Sequence, residues 1–431
     1  MADSKLSLFS AVIININTML GTGIFLNSVP LALYAGGLCP LSYVMVGLIT
    51  VPLVIAFAVL LDYYESGNFY TIAKNELGVF SGFLSTWIFF VTRSAVLGLL
   101  IHFETFIIRE LFPVLQQYPQ LALDFILLSI FASLNLFNMR IGSGIQASFT
   151  VIKMIAVAVI TTLGIWYFKG ANFALPHLAV GGLPLTVPIV LFAYLGFDTT
   201  VSLSKHIENP KRNAPRAILY SYIVVITAYC LYQFFYYAGL NLDILAANAS
   251  SDFSVISVFI QSTLQSAVLQ NFLYLCVGIA AISGTYGVMF GNLWNLHELA
   301  DNKLLVTDTV LAKKNRAGIA YWCLFAEVAI CVVSIMMGAS QEFTQGMVTM
   351  GSAIAYTFTM AAFLRIALRK TRVTWHIITA VCALAMCAVY LITGTQLLFK
   401  LGTPLLLYFV LFLIALGVCL FFAKKRQTQQ V

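Results

Sequence analysis

The stretch Met19-Leu20-Gly21-Thr22-Gly23-Ile24-Phe25 lies near the middle of the first long apolar segment and is the most informative part of the chain. Two glycines flank a β-branched threonine there, and each glycine costs about 1 kcal/mol relative to alanine inside a helix. An unwound turn in the middle of a bilayer leaves amide and carbonyl groups unpaired, which hydrocarbon tolerates only where these groups line a polar cavity. The stretch therefore predicts a broken membrane helix whose free backbone groups bind a polar ligand.

A second interruption of the same kind is predicted at Tyr194-Leu195-Gly196-Phe197-Asp198. The alternative for Gly21 and Gly23 is that they permit close helix packing, as small residues often do in membranes. Two breaks five spans apart favour broken helices, which are typical of secondary transporters. The helix start after Gly23 suits a carboxylate, and the free carbonyl groups near Ala193 suit an ammonium, so the two breaks together fit a zwitterion.

The composition indicates a membrane protein with many spans. Of 431 residues, 61% are hydrophobic and 9% are charged, and the mean hydropathy is +0.95. No soluble fold buries that much apolar surface. We find no phosphate-binding loop, zinc-protease motif or nucleophile elbow. We therefore expect no enzyme activity, no catalytic residue, no metal and no cofactor, and energy must come from ion or substrate gradients.

Twelve apolar runs are long enough to cross about 30 Å of hydrocarbon. They lie near 8–34, 39–61, 80–112, 122–138, 145–168, 185–206, 216–240, 266–297, 317–338, 344–364, 375–394 and 401–423. Most lysines and arginines fall on one side of these spans, whereas Arg109, Lys169 and Lys400 fall on the other. This asymmetry predicts a multi-pass protein of the cytoplasmic (inner) membrane with both termini in the cytoplasm. The same asymmetry explains the net charge of +7 without a nucleic-acid partner. We interpret the first apolar run as a membrane span and not as a removable signal.

The positions of the breaks predict internal symmetry. Because they lie in spans one and six, corresponding spans of two five-span units run in opposite directions. We expect one membrane domain, residues 1–431, in which residues 8–168 and 185–364 are inverted repeats and residues 375–423 are two trailing helices. No sequence identity between the halves is visible, so this prediction depends on the breaks alone.

Two charged residues are candidates for coupling ion movement to transport. Asp198 lies near mid-span, where a carboxylate is costly and usually faces a cavity; it is protonated in transit or, as the slightly favoured alternative, caps the second half-helix. Lys153 lies in the fifth span. Its ammonium extends to the cytoplasmic surface or is held against the unwound segment, where it couples a proton to transport.

Other polar and aromatic side chains have open roles. Arg93 in the third span needs carbonyl groups or a carboxylate as partners, and Glu327 in the ninth span is a protonation site or an interior hydrogen-bonding group. Glu104 and His102 are expected at the solvated outer interface. The aromatic residues around the second break, Phe192, Tyr194 and Phe197, close over a bound side chain or pack in the core. The eight cysteines are expected to be reduced packing residues.

Four stretches together resemble a known family. They are Met19 to Phe25; Glu65-Ser-Gly-Asn-Phe-Tyr70 with Gly78 and Gly82-Phe83; Asn138-Met-Arg140 with Gln146 to Lys153; and Leu191 to Asp198 with Glu208-Asn-Pro-Lys-Arg-Asn-Ala-Pro-Arg-Ala217. The chain resembles the amino acid–polyamine–organocation (APC) superfamily, and within it the L-type amino acid transporters and their bacterial relatives. The likeness covers spans one to eight and is weak afterwards.

The resemblance implies an all-α protein of 12 transmembrane helices with a LeuT-type 5+5 inverted repeat, broken helices 1 and 6, and alternating access. It implies that Thr22, Gly23 and Ile24 hold the substrate carboxylate, while Met19 and the carbonyl groups around Phe192 and Ala193 hold the amine, with Phe192 as a gate. Lys153 matches a lysine that occupies the sodium position in proton-dependent or exchanging members, with Ser283 as its neighbour. Arg93 matches an arginine of the L-type branch. The remaining candidates for substrate binding are Gly21, Tyr194, Gly196 and Phe197.

The chain departs from the family pattern at several positions. Leu195 stands where relatives have a small residue, Phe197 replaces a tryptophan, and Asn68 replaces a glycine. The outer segment from Pro113 to Asp124 has no cysteine, so we expect no disulfide-linked partner subunit. The function predicted is proton-coupled symport or exchange of a neutral amino acid. The alternatives are a basic amino acid or polyamine antiporter that uses Asp198 or Glu327 as counter-charge, and a non-transporting amino acid sensor.

Overall fold

The computed structural model describes residues 5–21, 23–65, 67–247, 259–260, 263–338, 340–400 and 405–429. The α-helices in these residues are α1 (Leu8–Met19), α2 (Gly23–Leu26), α3 (Ser28–Ala35), α4 (Cys39–Tyr63), α5 (Phe69–Leu77), α6 (Val79–Leu111), α7 (Gln120–Leu134), α8 (Met139–Trp166), α9 (Leu183–Tyr194), α10 (Thr199–Leu203), α11 (Pro210–Gly239), α12 (Leu242–Ala247), α13 (Ala267–Asp301), α14 (Asp308–Leu311), α15 (Tyr321–Met337), α16 (Gln341–Ile366), α17 (Thr374–Lys400) and α18 (Leu405–Gln429). Short 3₁₀ turns lie at Pro113–Gln117, Gly170–Phe173, Leu175–His177, Val180–Gly182 and Ser204–His206.

Side-chain caps fix the starts of several helices. Asn68, Asn138 and Ser340 each accept a hydrogen bond from the backbone amide three residues later, at 2.8, 2.9 and 3.2 Å respectively. Such caps satisfy one of the amides that a helix leaves unpaired at its first turn. The predicted span near 145–168 therefore begins earlier, because Asn138 starts α8 at Met139.

Nine helical segments among the described residues are long and apolar enough to cross a membrane. They are α4, α6, α8, the stretch that holds α9 and α10, α11, α13, α16, α17 and α18. The pair of α1 with α2–α3 passes the same test as one span bent by 46°, and α7 and α15 are shorter apolar helices. The prediction of an all-helical polytopic membrane protein is confirmed.

The first interruption lies where the sequence predicts it. α1 ends at Met19, and Leu20 leaves the helix with a ψ of 42° although its amide still bonds to the Ile16 carbonyl oxygen. Close packing occurs at the same place, since a Cβ atom on Gly284 of α13 would lie 2.6 Å from the Gly21 Cα. Both alternatives for Gly21 are therefore correct, because the chain unwinds there and also packs closely against α13.

The second interruption separates α9 from α10. After Tyr194 the backbone becomes extended at Leu195, and Gly196 has a φ of +123°. A Cβ atom at Gly196 would lie 3.0 Å from the Met19 amide nitrogen and 3.0 Å from the Thr18 Cγ2. The second interruption thus packs directly against the last turn of α1.

Replacing Gly196 with alanine is expected to destabilise the fold. The positive φ costs a residue with a Cβ atom about 1–2 kcal/mol, and overpacking against Thr18 and Met19 adds about 1–3 kcal/mol. Thermal unfolding of the purified protein in detergent measures the loss as a lower midpoint. The control is Gly144→Ala on α8, where the added Cβ meets no atom within 4 Å; a midpoint for Gly196→Ala equal to that of this control would contradict the expectation.

Candidate functional site

The two interruptions border one cavity of about 50 Å³. Its lining combines backbone of both interruptions with apolar side chains of α6, α13 and α16 and three polar side chains, Thr18, Arg93 and Thr285. The full lining is Thr18, Met19, Gly21, Gly23, Arg93, Val96, Leu97, Leu100, Phe192, Ala193, Leu195, Gly284, Thr285, Val288 and Val348. The volume holds a few water molecules, so a bound amino acid requires surrounding groups to move apart.

Five of the predicted substrate-binding residues line this central cavity: Met19, Gly21, Gly23, Phe192 and Ala193. Thr22 lies outside the described residues. Among the described lining residues the other candidates do not occur, and their contacts lie elsewhere.

Those other candidates pack in the core around the breaks. Ile24 is fully buried, and Gly196 packs on α1. The Tyr194 hydroxyl donates to the Tyr43 carbonyl oxygen at 2.7 Å. The Phe197 ring packs edge-on against Phe57, with ring centroids 5.7 Å apart. Of the three aromatic residues, Phe192 is therefore the one that lies at the cavity.

Tyr229 of α11 contacts the carbonyl ends of both broken helices. Its hydroxyl donates to the Met19 oxygen at 2.9 Å and lies 3.3 Å from the Ala193 oxygen. These are carbonyl groups that the resemblance assigns to the substrate amine. Sequence reasoning missed this residue, because α11 is rich in tyrosine and spacing along a helix does not show which ring reaches a neighbour.

Asp198 forms a buried ion pair with Arg93. The two side chains are 2.8 Å apart and less than a tenth exposed, and the Tyr356 hydroxyl donates to the same carboxylate oxygen at 2.5 Å. The favoured alternative for Asp198 was wrong: it stands at the N-cap position of α10, but its side chain makes no capping bond. The attraction of a guanidinium and a hydroxyl outweighs that of a helix amide in a dry interior.

The ion pair lies between the central cavity and a larger cavity on the lysine-rich side. A gap of about 10 Å³, lined in part by Arg93, Asp198 and Ser202, shares Arg93 with the central cavity. Ser202 in turn lines a cavity of about 220 Å³ that is bordered by three lysines, Lys5, Lys205 and Lys314. Three cavities thus lie in a row, and Arg93 and Asp198 line the smallest, which lies between the other two.

Lys153 is fully buried and does not extend to the surface. Its Nζ donates to the Asn17 carbonyl oxygen at 2.7 Å and to the Asn17 Oδ1 at 2.9 Å. The Asn17 Nδ2 donates to the Ser283 carbonyl oxygen at 2.9 Å and to the Gln146 Oε1. The ammonium is therefore held against the last turns of α1, and Asn17 joins the two predicted coupling residues, Lys153 and Ser283.

Two further carboxylates are buried in the membrane region. Glu104 was expected at a solvated interface, but it is fully buried and accepts a hydrogen bond from Thr285, which lines the central cavity. Glu327 is also fully buried and accepts from the Asn292 Nδ2 at 2.8 Å. His102 was expected at the same solvated interface, and its side chain is indeed 31% exposed. It also pairs with the buried Asp124 at 2.6 Å.

A family model described as amino acid permease matches residues 6–430. The chain belongs to the amino acid permease family. The resemblance to the APC superfamily is thereby confirmed, over a longer part of the chain than spans one to eight.

Individual relatives of this permease are transporters. The large neutral amino acids transporter small subunit 2 of Homo sapiens is 29% identical over 57% of this chain and 49% of its own length, so the match spans about half of that relative. An uncharacterized transporter of Mycobacterium tuberculosis is 24% identical over 73% of this chain and 70% of its own. The aromatic amino acid transport protein AroP of Escherichia coli is 23% identical over 94% and 92%. The names of all three relatives describe transporters, and none describes an enzyme.

Proposed function

We propose that this permease is a secondary active transporter that carries a neutral amino acid by alternating access. The observation that carries the proposal is the convergence of two helix C-termini, at Met19 and near Ala193, on one central cavity. The free carbonyl groups of such ends attract a cation and are costly in a membrane unless a ligand or side chain satisfies them. An α-ammonium supplies that cation in every amino acid.

The proposed substrate contacts follow from this arrangement. The Met19 and Ala193 carbonyl groups bind the ammonium, and Phe192 closes over the substrate from one side. Gly23, Ile24 and Thr22 bind the carboxylate through their amides. The structure supports this last contact less strongly, because the helix after the break, α2, is a single turn and its Ile24 amide lies 3.4 Å from the Gly21 oxygen.

The cavity lining supports a neutral side chain. Most of its side chains are aliphatic, and among the described lining residues Arg93 is the one charged group. A cationic side chain would lie beside this arginine, and Asp198 is already paired with it. Glu327, the second counter-charge considered, is not among the described lining residues. These contacts favour neutral substrates over basic amino acids and polyamines.

We propose the following membrane architecture for the chain. Among the described residues, nine spans, one bent pair and two shorter apolar helices together give twelve crossings. Residues 8–168 and 185–364 form a 5+5 inverted repeat of the LeuT type within one domain, and residues 375–423 add two helices. Support comes from the interruptions in the first and sixth crossings. The protein lies in the cytoplasmic membrane with both termini inside and works without a disulfide-linked subunit.

Alternating access and coupling are assigned to two charged groups. The Arg93–Asp198 pair closes the path from the central cavity to the lysine-rich side and opens when the substrate leaves toward the cytoplasm. Lys153 couples a proton to transport or, in an exchanger, keeps the end of α1 in place. Its contact with Asn17 supports both versions, because a change in this ammonium acts directly on the broken helix.

Uptake into proteoliposomes tests the proposed function. We expect labelled neutral amino acids to accumulate when a pH gradient is imposed or to exchange with the same amino acid inside. Arginine and putrescine are expected to compete about tenfold less well or worse, because a second cation beside Arg93 is costly in the membrane interior. Effective competition by arginine or putrescine would support the antiporter instead. Ligand-dependent stabilisation without any flux would support a sensor, and the absence of both binding and flux would overturn the proposal.

A further inference from the structure

The hydroxyl of Tyr229 lies where the ends of two helices meet. It is 2.9 Å from the Met19 oxygen and 3.3 Å from the Ala193 oxygen. Met19 is the last residue of α1, and Ala193 is the penultimate residue of α9. Within the described part of the chain, no backbone amide donates to either oxygen. Carbonyl oxygens in the last turn of a helix carry the negative end of its dipole.

One hydroxyl cannot satisfy both carbonyl groups at once. A tyrosine hydroxyl has a single proton, and the shorter distance favours donation of this proton to Met19. An ammonium has three protons and a full positive charge, so it can donate to both oxygens together in stronger, charge-assisted hydrogen bonds. The position of the Tyr229 oxygen is therefore better suited to an ammonium than to the neutral group that fills it.

Aromatic neighbours place the ring of Tyr229 in this position. It stacks on Tyr43 with centroids 4.6 Å apart and planes 11° apart, and it meets the edge of Tyr194 at 5.9 Å. Its side chain is fully buried. A Cβ atom added to Gly23, at the start of α2, would lie 3.7 Å from the hydroxyl. The hydroxyl thus lies between the two interruptions because its surroundings place it there.

We propose that Tyr229 is a positioning residue whose hydroxyl takes the place of the substrate ammonium in the empty carrier. The inference rests on the proposed function, since it requires an amine-bearing substrate at Met19 and Ala193. When an amino acid binds, its ammonium displaces the hydroxyl from these two carbonyl groups. When the amino acid leaves, the hydroxyl returns and donates to the Met19 oxygen, so the empty carrier can change conformation with the end of α1 paired.

Removing the hydroxyl therefore has two opposite effects. Substrate binds more tightly, because no internal group competes for the two carbonyl oxygens. The empty carrier also loses the hydrogen bond that pairs the Met19 carbonyl group while the conformation changes, which raises the barrier of the return without substrate, so this step becomes slower. Exchange of internal for external amino acid avoids that step and is preserved, whereas net uptake falls.

The experiment compares Tyr229→Phe with Tyr222→Phe. Both tyrosines are buried in α11, and Tyr222 also donates to a backbone oxygen, that of Gly47 at 2.8 Å, but within an intact helix. For Tyr229→Phe we expect the Kd of labelled L-leucine to fall about 3- to 10-fold, the range that one hydrogen bond accounts for. The control is expected to keep the wild-type Kd. In proteoliposomes, Tyr229→Phe is expected to retain leucine exchange and to lose most net uptake.

A ligand without an amine separates this role from a structural one. 4-Methylpentanoate has the leucine side chain and carboxylate but no ammonium, so its inhibition constant is expected to be equal in the wild type and in Tyr229→Phe. A parallel tightening of both ligands, or an unchanged or weaker leucine affinity, would overturn the proposal for Tyr229. Tyr229→Met also lacks the hydroxyl and serves as a second variant where Tyr229→Phe does not fold. If the wild type binds and transports no neutral amino acid at all, the proposed function fails first, and this inference fails with it.

Discussion

Arg93→Met is expected to lower the free energy of unfolding by about 3–5 kcal/mol, because it leaves the Asp198 carboxylate buried without its cation. The pair is 2.8 Å apart, and both side chains are less than a tenth exposed. The Tyr356 hydroxyl remains as a donor to Asp198, but one neutral donor does not replace a guanidinium. Unfolding of the purified variant in detergent measures the loss, and uptake is expected to fall with it.

A double variant distinguishes the effect of an unpaired Asp198 carboxylate from the effect of losing the Arg93 side chain itself. In Arg93→Met/Asp198→Asn no charge remains, and the new asparagine still accepts from Tyr356, so most of the stability is expected to return. Uptake is not expected to return, because the closure between the central cavity and the lysine-rich side stays absent. A double variant that is no more stable than Arg93→Met would show that the loss comes from the missing Arg93 side chain and not from the unpaired carboxylate.

Local sequence signals predicted most of the helices and both interruptions. The twelve apolar runs agree with the helices to within a few residues in most places; the run near 39–61, for example, is α4 at Cys39–Tyr63. Gly21 and Gly196 predicted breaks because glycine destabilises a helix in the middle of an apolar span. Its presence there therefore indicates a backbone that leaves the helical conformation. These features depend on neighbouring residues in the chain, which a sequence displays directly.

The partners of buried polar groups could not be predicted in the same way. Asp198 is joined to Arg93 and Tyr356, which lie 105 and 158 positions away in the chain. Local reasoning weighed the nearest amides and therefore favoured a cap. Glu104 was placed by its distance from the end of its span, but rotation around α6 turns it toward Thr285 and into the core. Depth in the membrane follows from counting residues, whereas the direction in which a side chain points depends on packing between helices.

Lys153→Ala is expected to abolish accumulation driven by a pH gradient while exchange continues. With one proton carried per substrate, a pH difference of one unit sustains about tenfold accumulation, and without coupling the ratio falls to about one. Lys153 is fully buried, and its Nζ lies 2.7 Å from the Asn17 oxygen, two residues before the end of α1. The variant removes a group that binds a proton and a contact that holds the broken helix, so we measure accumulation and exchange separately.

Two further variants show which of these roles matters. Lys153→Arg keeps a permanent cation near Asn17 but does not release its proton, so exchange is expected to remain and pH-driven accumulation to disappear. Lys169→Ala removes an exposed lysine shortly after the same helix and is expected to behave as the wild type. Full pH-driven accumulation by Lys153→Ala would remove the coupling role and leave transport itself intact. Loss of exchange in both Lys153 variants would instead assign the lysine to holding α1, since an ammonium and a guanidinium place their hydrogen-bond donors differently around the same two oxygens of Asn17.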